Sequence, residues 1–112
     1  MELAKKKCLP CEGGMPPLDG EAVCRLLPQV KGWKVEEGER ELRKRFKFGR
    51  FPEVIAFVNR MAALAEAEGH HPDFCVRYDV LEVSLSTHAV RGLSENDFIL
   101  AAKIDELVAQ GP

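Results

Sequence analysis

From Pro52 onward, Val54, Phe57, Val58, Met61, Leu64 and Ala65 recur every three or four residues, and the run stops at Gly69. That spacing draws one apolar stripe along a helix of about five turns. Proline suits the first turn of a helix, and glycine suits the left-handed position that closes one. A stripe of this length needs an apolar surface to cover. The flanking segments supply it. Upstream, Leu42, Phe46 and Phe48 alternate with Glu41, Arg43, Arg45 and Lys47, and Lys44 is the one misfit on the apolar side. Downstream, Phe74, Val76 and Tyr78 form one alternating run, and Leu81, Val83 and Leu85 alternate with Glu82, Ser84 and Ser86 in the next. Period-two patterning marks strands with one buried face.

The remaining elements complete a regular order. Trp33 to Val35 reads as a short strand, joined to the Arg40–Phe48 run through a turn at Glu37-Gly38-Glu39. A second turn falls at Asp79. Asp19 is placed to cap a helix running to about Leu27, closed by Pro28 and Gly32. Ser94-Glu95-Asn96-Asp97 has the form of a capping box and opens a helix from about Glu95 to Ala109. The order α-β-β-α-β-β-α predicts an α+β fold of antiparallel hairpins with helices on one face. Residues 1–17, with three lysines, Gly13, Gly14, Pro16 and Pro17, read as a flexible N-terminal tail. Residues 18–112 read as a single domain.

Bulk properties narrow the function. The chain has 112 residues and a net charge of −2, which gives no general attraction to nucleic acid. No apolar run approaches the length of a membrane helix. Met1 to Lys7 is charged and lacks the apolar stretch of a secretory signal, so a cytoplasmic protein is expected. The four cysteines include Cys8-Leu9-Pro10-Cys11, a Cys-x-x-Cys pair without the second pair a structural zinc site would use. The expectation is an inert pair in the tail, with metal or disulfide chemistry as the alternative.

All three histidines fall in two segments, Glu66-Ala67-Glu68-Gly69-His70-His71-Pro72 and Ser86-Thr87-His88. Histidine titrates nearest neutrality, so three imidazoles brought together point to proton transfer or to a metal. Adjacent histidines diverge in extended chain and lack the His-x-x-x-His spacing of a helical metal site, which favours proton transfer. Glu66 lies one turn before His70 and is expected on its side of the helix. Glu66 and Asp97 are candidates to orient imidazoles. Phe74 and Tyr78 are candidates for an apolar wall against a flat ligand. Structural histidines, bonded for stability alone, are the plain alternative.

These residues resemble the pterin-4a-carbinolamine dehydratase family. The resemblance runs from about Leu18 to Leu107 and rests on Phe57-Val58-Asn59-Arg60, Glu66 with His70-His71-Pro72, Tyr78, Ser86-Thr87-His88, and Gly92-Leu93-Ser94 with Asp97. It implies a four-stranded antiparallel sheet with helices on one face. It implies loss of water from 4a-hydroxytetrahydropterin to give quinonoid dihydropterin, which recycles the cofactor of aromatic amino acid hydroxylases, chiefly phenylalanine hydroxylase. No metal or organic cofactor is implied, and a homo-oligomer is expected, a dimer or a tetramer. By this resemblance His70, His71 and His88 are the catalytic set. Glu66, Gly69, Pro72, Phe74, Tyr78, Ser86, Thr87 and Asp97 join them in the substrate site. Gly69 stands where animal members carry aspartate, and Phe74 where they carry tryptophan.

Two other functions compete. Some relatives bind a transcription factor or act in assembly of carbon-fixing complexes, so a non-catalytic module on the same fold is the first. Nucleic-acid binding, with Arg43, Arg45, Lys47 and Arg50 tracking phosphates, is the second. Glu39 and Glu41 interrupt that basic run, and a solvated sheet face accounts for it better.

Overall fold

The structure is a computed structural model that describes residues 3–9, 16–36, 38 and 40–110. Its helices are α1 (Gly20–Leu26), α2 (Phe51–Glu68) and α3 (Glu95–Ala109). Its strands are β1 (Lys34–Glu36), β2 (Glu41–Lys47), β3 (Asp73–Arg77) and β4 (Val80–Leu85). All pairings are antiparallel, in the order β1-β2-β4-β3. The expected α+β class and element order are those observed. Glu37 and Glu39 of the first expected turn, and Cys11 of the Cys-x-x-Cys pair, lie outside the described residues.

One sheet face carries the core. Leu42, Phe46, Leu81, Val83 and Leu85 meet Val54, Phe57 and Met61 of α2 and Phe98, Leu100 and Ile104 of α3, all buried. Truncating a buried phenylalanine such as Phe57 or Phe98 to alanine costs about 3–5 kcal/mol in cores of this kind. The other face is open. Arg43, Arg45, Lys47, Cys75 and Arg77 point to solvent there. Arg43 meets Glu41 at 2.8 Å, Lys47 meets Asp79 at 2.6 Å, and Arg45 and Arg77 approach Glu82 at 3.7 Å. These cations face carboxylates of their own sheet.

Lys44, the misfit in the β2 pattern, does lie on the core side. Its aliphatic stem crosses to the sheet margin, where Nζ sits 5.0 Å from the Phe46 ring centre and donates to Asp105 (2.9 Å) and the Lys31 carbonyl (3.0 Å). Trp33 Nε1 donates to the same carboxylate at 3.1 Å. A lysine is tolerated there because its stem packs on aromatic surface while its ammonium reaches a shared acceptor.

The sequence reading leaves residues 1–17 as a tail, yet residues 3–9 are seated on α2 and α3. Leu3 and Cys8 are buried, and Leu3–Lys5 forms a short 3₁₀ turn. Further along, Pro17 presses on Gly92, where an added Cβ would stand 2.8 Å from the proline ring, and Leu18 N–H donates to Leu93 O at 2.8 Å. Side-chain partners far along the chain hold the segment, and local propensity does not register them. Burial pushes the Cys8 thiol up to about 12, reinforced by the neighbouring Glu68 carboxylate. Cys24 and Cys75 are exposed. Iodoacetamide at pH 8 therefore labels Cys24 and Cys75 in the folded protein and spares Cys8 until denaturant is added, as peptide mass spectrometry would read; early labelling of Cys8 would contradict the seating.

Candidate active site

The site begins with the way α2 ends. Gly69 adopts the left-handed conformation (φ 68°), its N–H bonds Glu66 O at 3.3 Å, and His70 N–H bonds Ala65 O at 3.2 Å. Those two bonds are the paired closure of a Schellman motif, in which the residue after the left-handed glycine folds back over the last turn. His70 is that residue. Helix termination and placement of the first histidine are thus one local event.

His70 turns inward. Its Nε2 lies 2.6 Å from Asp97 Oδ1, and its side chain is only 11% exposed. Asp97 belongs to the first turn of α3 and is fully buried. Its second oxygen accepts from the Ser94 backbone N–H at 2.9 Å and from the Thr87 hydroxyl at 2.8 Å. Thr87 has one proton and gives it to Asp97, so in the 2.7 Å contact between the hydroxyls Ser94 is the donor. With Oδ2 doubly served, Oδ1 remains for the imidazole. A carboxylate there accepts a hydrogen bond from Nε2–H and leaves Nδ1 without a protein partner among the described residues. That nitrogen is the one able to exchange a proton with a ligand.

His71 behaves differently. Its Nε2 meets Glu66 Oε2 at 2.7 Å, and both side chains are open to solvent (61% and 78% exposed). Glu66 therefore serves His71, where the sequence reading set it beside His70. The chain reversal at Gly69 explains the exchange: His70 swings toward α3 and His71 returns over the helix end. Pro72 is half-buried and leads into β3.

The second histidine segment arrives from β4. Asp73 pairs with Ser84, so the start of β3 and the end of β4 share one end of the sheet. Ser86 follows there, half-buried. Thr87 bridges to Gly92 and holds Asp97, and His88, exposed, opens a short 3₁₀ turn over His88–Val90. His70 and His88 are thereby tied to one buried carboxylate, the first directly and the second through its neighbour Thr87. Among the described residues, no three His, Cys, Asp or Glu side chains gather as a metal-binding set.

The two expected aromatics part company. Phe74 lies near the start of edge strand β3, opposite Val83, and is partly exposed. Tyr78 sits in the β3–β4 turn with φ 55°, five residues beyond Asp73, which is about 16 Å along a strand. Within one chain it stands at the opposite end of β3 from the histidines. Alternation extended the strand through Tyr78 on paper; the hairpin turns one residue earlier. Ser94, named for the capping box but not among the expected site residues, is central to the Asp97 network. Its place in the Ser-x-x-Asp capping box was the signal for it.

A hollow of about 440 Å³ lies elsewhere, over the open sheet face, and Lys34, Arg43, Cys75 and Glu82 are among its lining. None of the histidines borders it. It is the concavity of an uncovered twisted sheet, whereas the His70–Asp97 pair lies at the α2–α3 end.

Residues 16–107 match the family model described as pterin 4 alpha carbinolamine dehydratase. A protein of Rubrobacter xylanophilus, provisionally named a pterin-4-alpha-carbinolamine dehydratase, is 49% identical over 95% of this chain and 98% of its own. One from Halorhodospira halophila with the same provisional name is 47% identical over 97% of this chain and all of its own (100%). The crystal structure of a transcriptional coactivator/pterin dehydratase from Brucella melitensis superposes with a TM-score of 0.77 at 28% identity, covering 81% of this chain and 97% of that one. A pterin dehydratase-like protein described as a RuBisCO assembly factor of the alpha-carboxysome superposes with a TM-score of 0.60 at 28% identity, covering 68% of this chain and 88% of that one. Matched along nearly its whole length and sharing the three-helix, four-strand fold, this chain belongs to the pterin-4-alpha-carbinolamine dehydratase family.

Proposed function

We propose that this protein dehydrates 4a-hydroxytetrahydropterin to quinonoid dihydropterin and water, by acid–base catalysis that needs no metal. The observation that carries the reading is the His70–Asp97 pair, held at 2.6 Å beside the Thr87-His88 segment. The C4a–O bond breaks as the oxygen takes a proton and leaves as water. The ring nitrogen next to C4a gives up its proton, and its electron pair forms the new C=N bond. One group must donate and another accept, both near neutral pH. His70 and His88 fill those two roles, and proton return through solvent resets them. His71, steadied by Glu66, positions the pterin, and Phe74 offers an apolar wall. Product returned in this way would serve an aromatic amino acid hydroxylase such as phenylalanine hydroxylase. The uncovered edges of β1 and β3 suit association into a homo-oligomer.

The reading is tested by the dehydration rate of freshly generated 4a-hydroxytetrahydropterin with EDTA present. The wild type accelerates it, and His70→Ala lowers kcat about 100-fold, within the range expected for loss of one general acid or base. Loss of wild-type activity on adding EDTA would restore a metal mechanism. No acceleration with or without chelator would leave a non-catalytic assembly role as the better account.

Asp97→Asn gives a sharper prediction. The two donors on Oδ2 fix the amide oxygen at that position, so the amide NH₂ faces His70 Nε2 and drives the ring proton to Nδ1. Activity then falls by at least tenfold while the fold, followed by circular dichroism, is retained. Thr87→Val removes a hydrogen bond to a buried carboxylate and lowers stability by about 1–3 kcal/mol in urea unfolding.

A further inference from the structure

The N-terminal segment touches the two residues that flank the His70–Asp97 pair in sequence. Asn96, immediately before Asp97, clasps the Leu9 backbone in both directions: its Oδ1 accepts from Leu9 N–H at 2.9 Å and its Nδ2 donates to Leu9 O at 2.6 Å. Glu68, two residues before His70, accepts from Cys8 N–H at 2.8 Å. The Cys8 thiol donates to Asn96 O at 3.6 Å. Lys103 lies two turns along α3 from Asn96, and its Nζ donates to Ala4 O at 2.8 Å and stands 3.6 Å from Glu68. Lys7 Nζ donates to Ala67 O at 3.2 Å, at the carbonyl end of α2, where a cation is favoured.

One short segment therefore ties the end of α2 to the start of α3. The His70–Asp97 bond crosses the same gap directly, as does the Lys103–Glu68 ion pair. A 2.6 Å contact between elements of two helices survives little relative drift, since hydrogen-bond strength falls steeply with distance and angle. Burial resists ionisation of Glu68, but the Cys8 amide, Lys103 and Lys7 outweigh it and hold its carboxyl below the usual range. The strap thus retains its charge network throughout the neutral range in which imidazoles exchange protons.

We infer that Asn96 and Glu68 are positioning residues, through which the N-terminal strap sets the spacing between His70 and Asp97. This rests on the dehydratase reading only for its kinetic readout. The experiment compares wild type with Asn96→Ala and Glu68→Gln in the full chain, by steady-state dehydration kinetics and by proton NMR of the His70 ring. In the wild type the short Nε2–H···Oδ1 bond gives a downfield, slowly exchanging proton resonance, assigned by its absence in His70→Ala.

Asn96→Ala is expected to lower kcat about tenfold with KM within twofold, and to move that resonance upfield or broaden it by faster exchange. Glu68→Gln keeps an acceptor for Cys8 N–H but loses the ionic links, and the same changes follow in smaller measure. Should Asn96→Ala fail to fold, Glu68→Gln decides alone. Variants that melt at lower temperature yet keep the wild-type kcat and the wild-type resonance would overturn the inference, because a strap that is merely structural moves only stability. If the wild type shows no dehydratase activity, the functional reading fails, and the NMR comparison still decides the role of the strap.

Discussion

Asp97 is the residue around which this molecule is arranged. It is a fully buried carboxylate, and such a group is tolerated only when its oxygens find donors. The donors come from three separate parts of the chain: the end of α2 through His70, the end of β4 through Thr87, and its own helix entrance through the Ser94 backbone. Satisfying one carboxylate thus gathers three elements at one end of the sheet. Structural economy and chemistry coincide there, since the donor set includes an imidazole with a second nitrogen facing outward.

Much of this arrangement follows from local rules. The Schellman closure at Gly69 carries His70 onto its position, and the Ser94–Asp97 capping relation buries the carboxylate at the start of α3. Both were legible in the sequence, because glycine after an apolar stripe and Ser-x-x-Asp before one are signals with a mechanism. Gly69 also clarifies the family difference at this position. Aspartate, like asparagine, tolerates the left-handed region better than most residues, so either choice lets the chain reverse there.

What the sequence left unread depends on distant partners and on where the chain reverses. Alternation counted Tyr78 as strand, but the hairpin turns at Tyr78-Asp79, at the other end of β3 from Asp73. Helical spacing put Glu66 on the side of His70; the reversal at Gly69 gives it to His71. Lys44 broke the β2 pattern for a reason found 61 residues away, in Asp105. Composition marked residues 1–17 as a tail, while Asn96, Glu68 and Lys103 hold residues 3–9 against the helices. Lys44 and residues 3–9 share one cause, side chains whose partners lie beyond any local window, whereas Tyr78 and Glu66 depend on where the chain reverses.

On the proposed function the pterin sits at the α2–α3 end, and not in the concavity of the open sheet face. A crystal structure with an unreactive 7,8-dihydropterin bound tests it most directly. The pterin ring is expected against His70, His71 and His88, with His70 Nδ1 within hydrogen-bond reach of the ring. A pterin seated over Arg43, Arg45 and Glu82, with the histidines untouched, would contradict it.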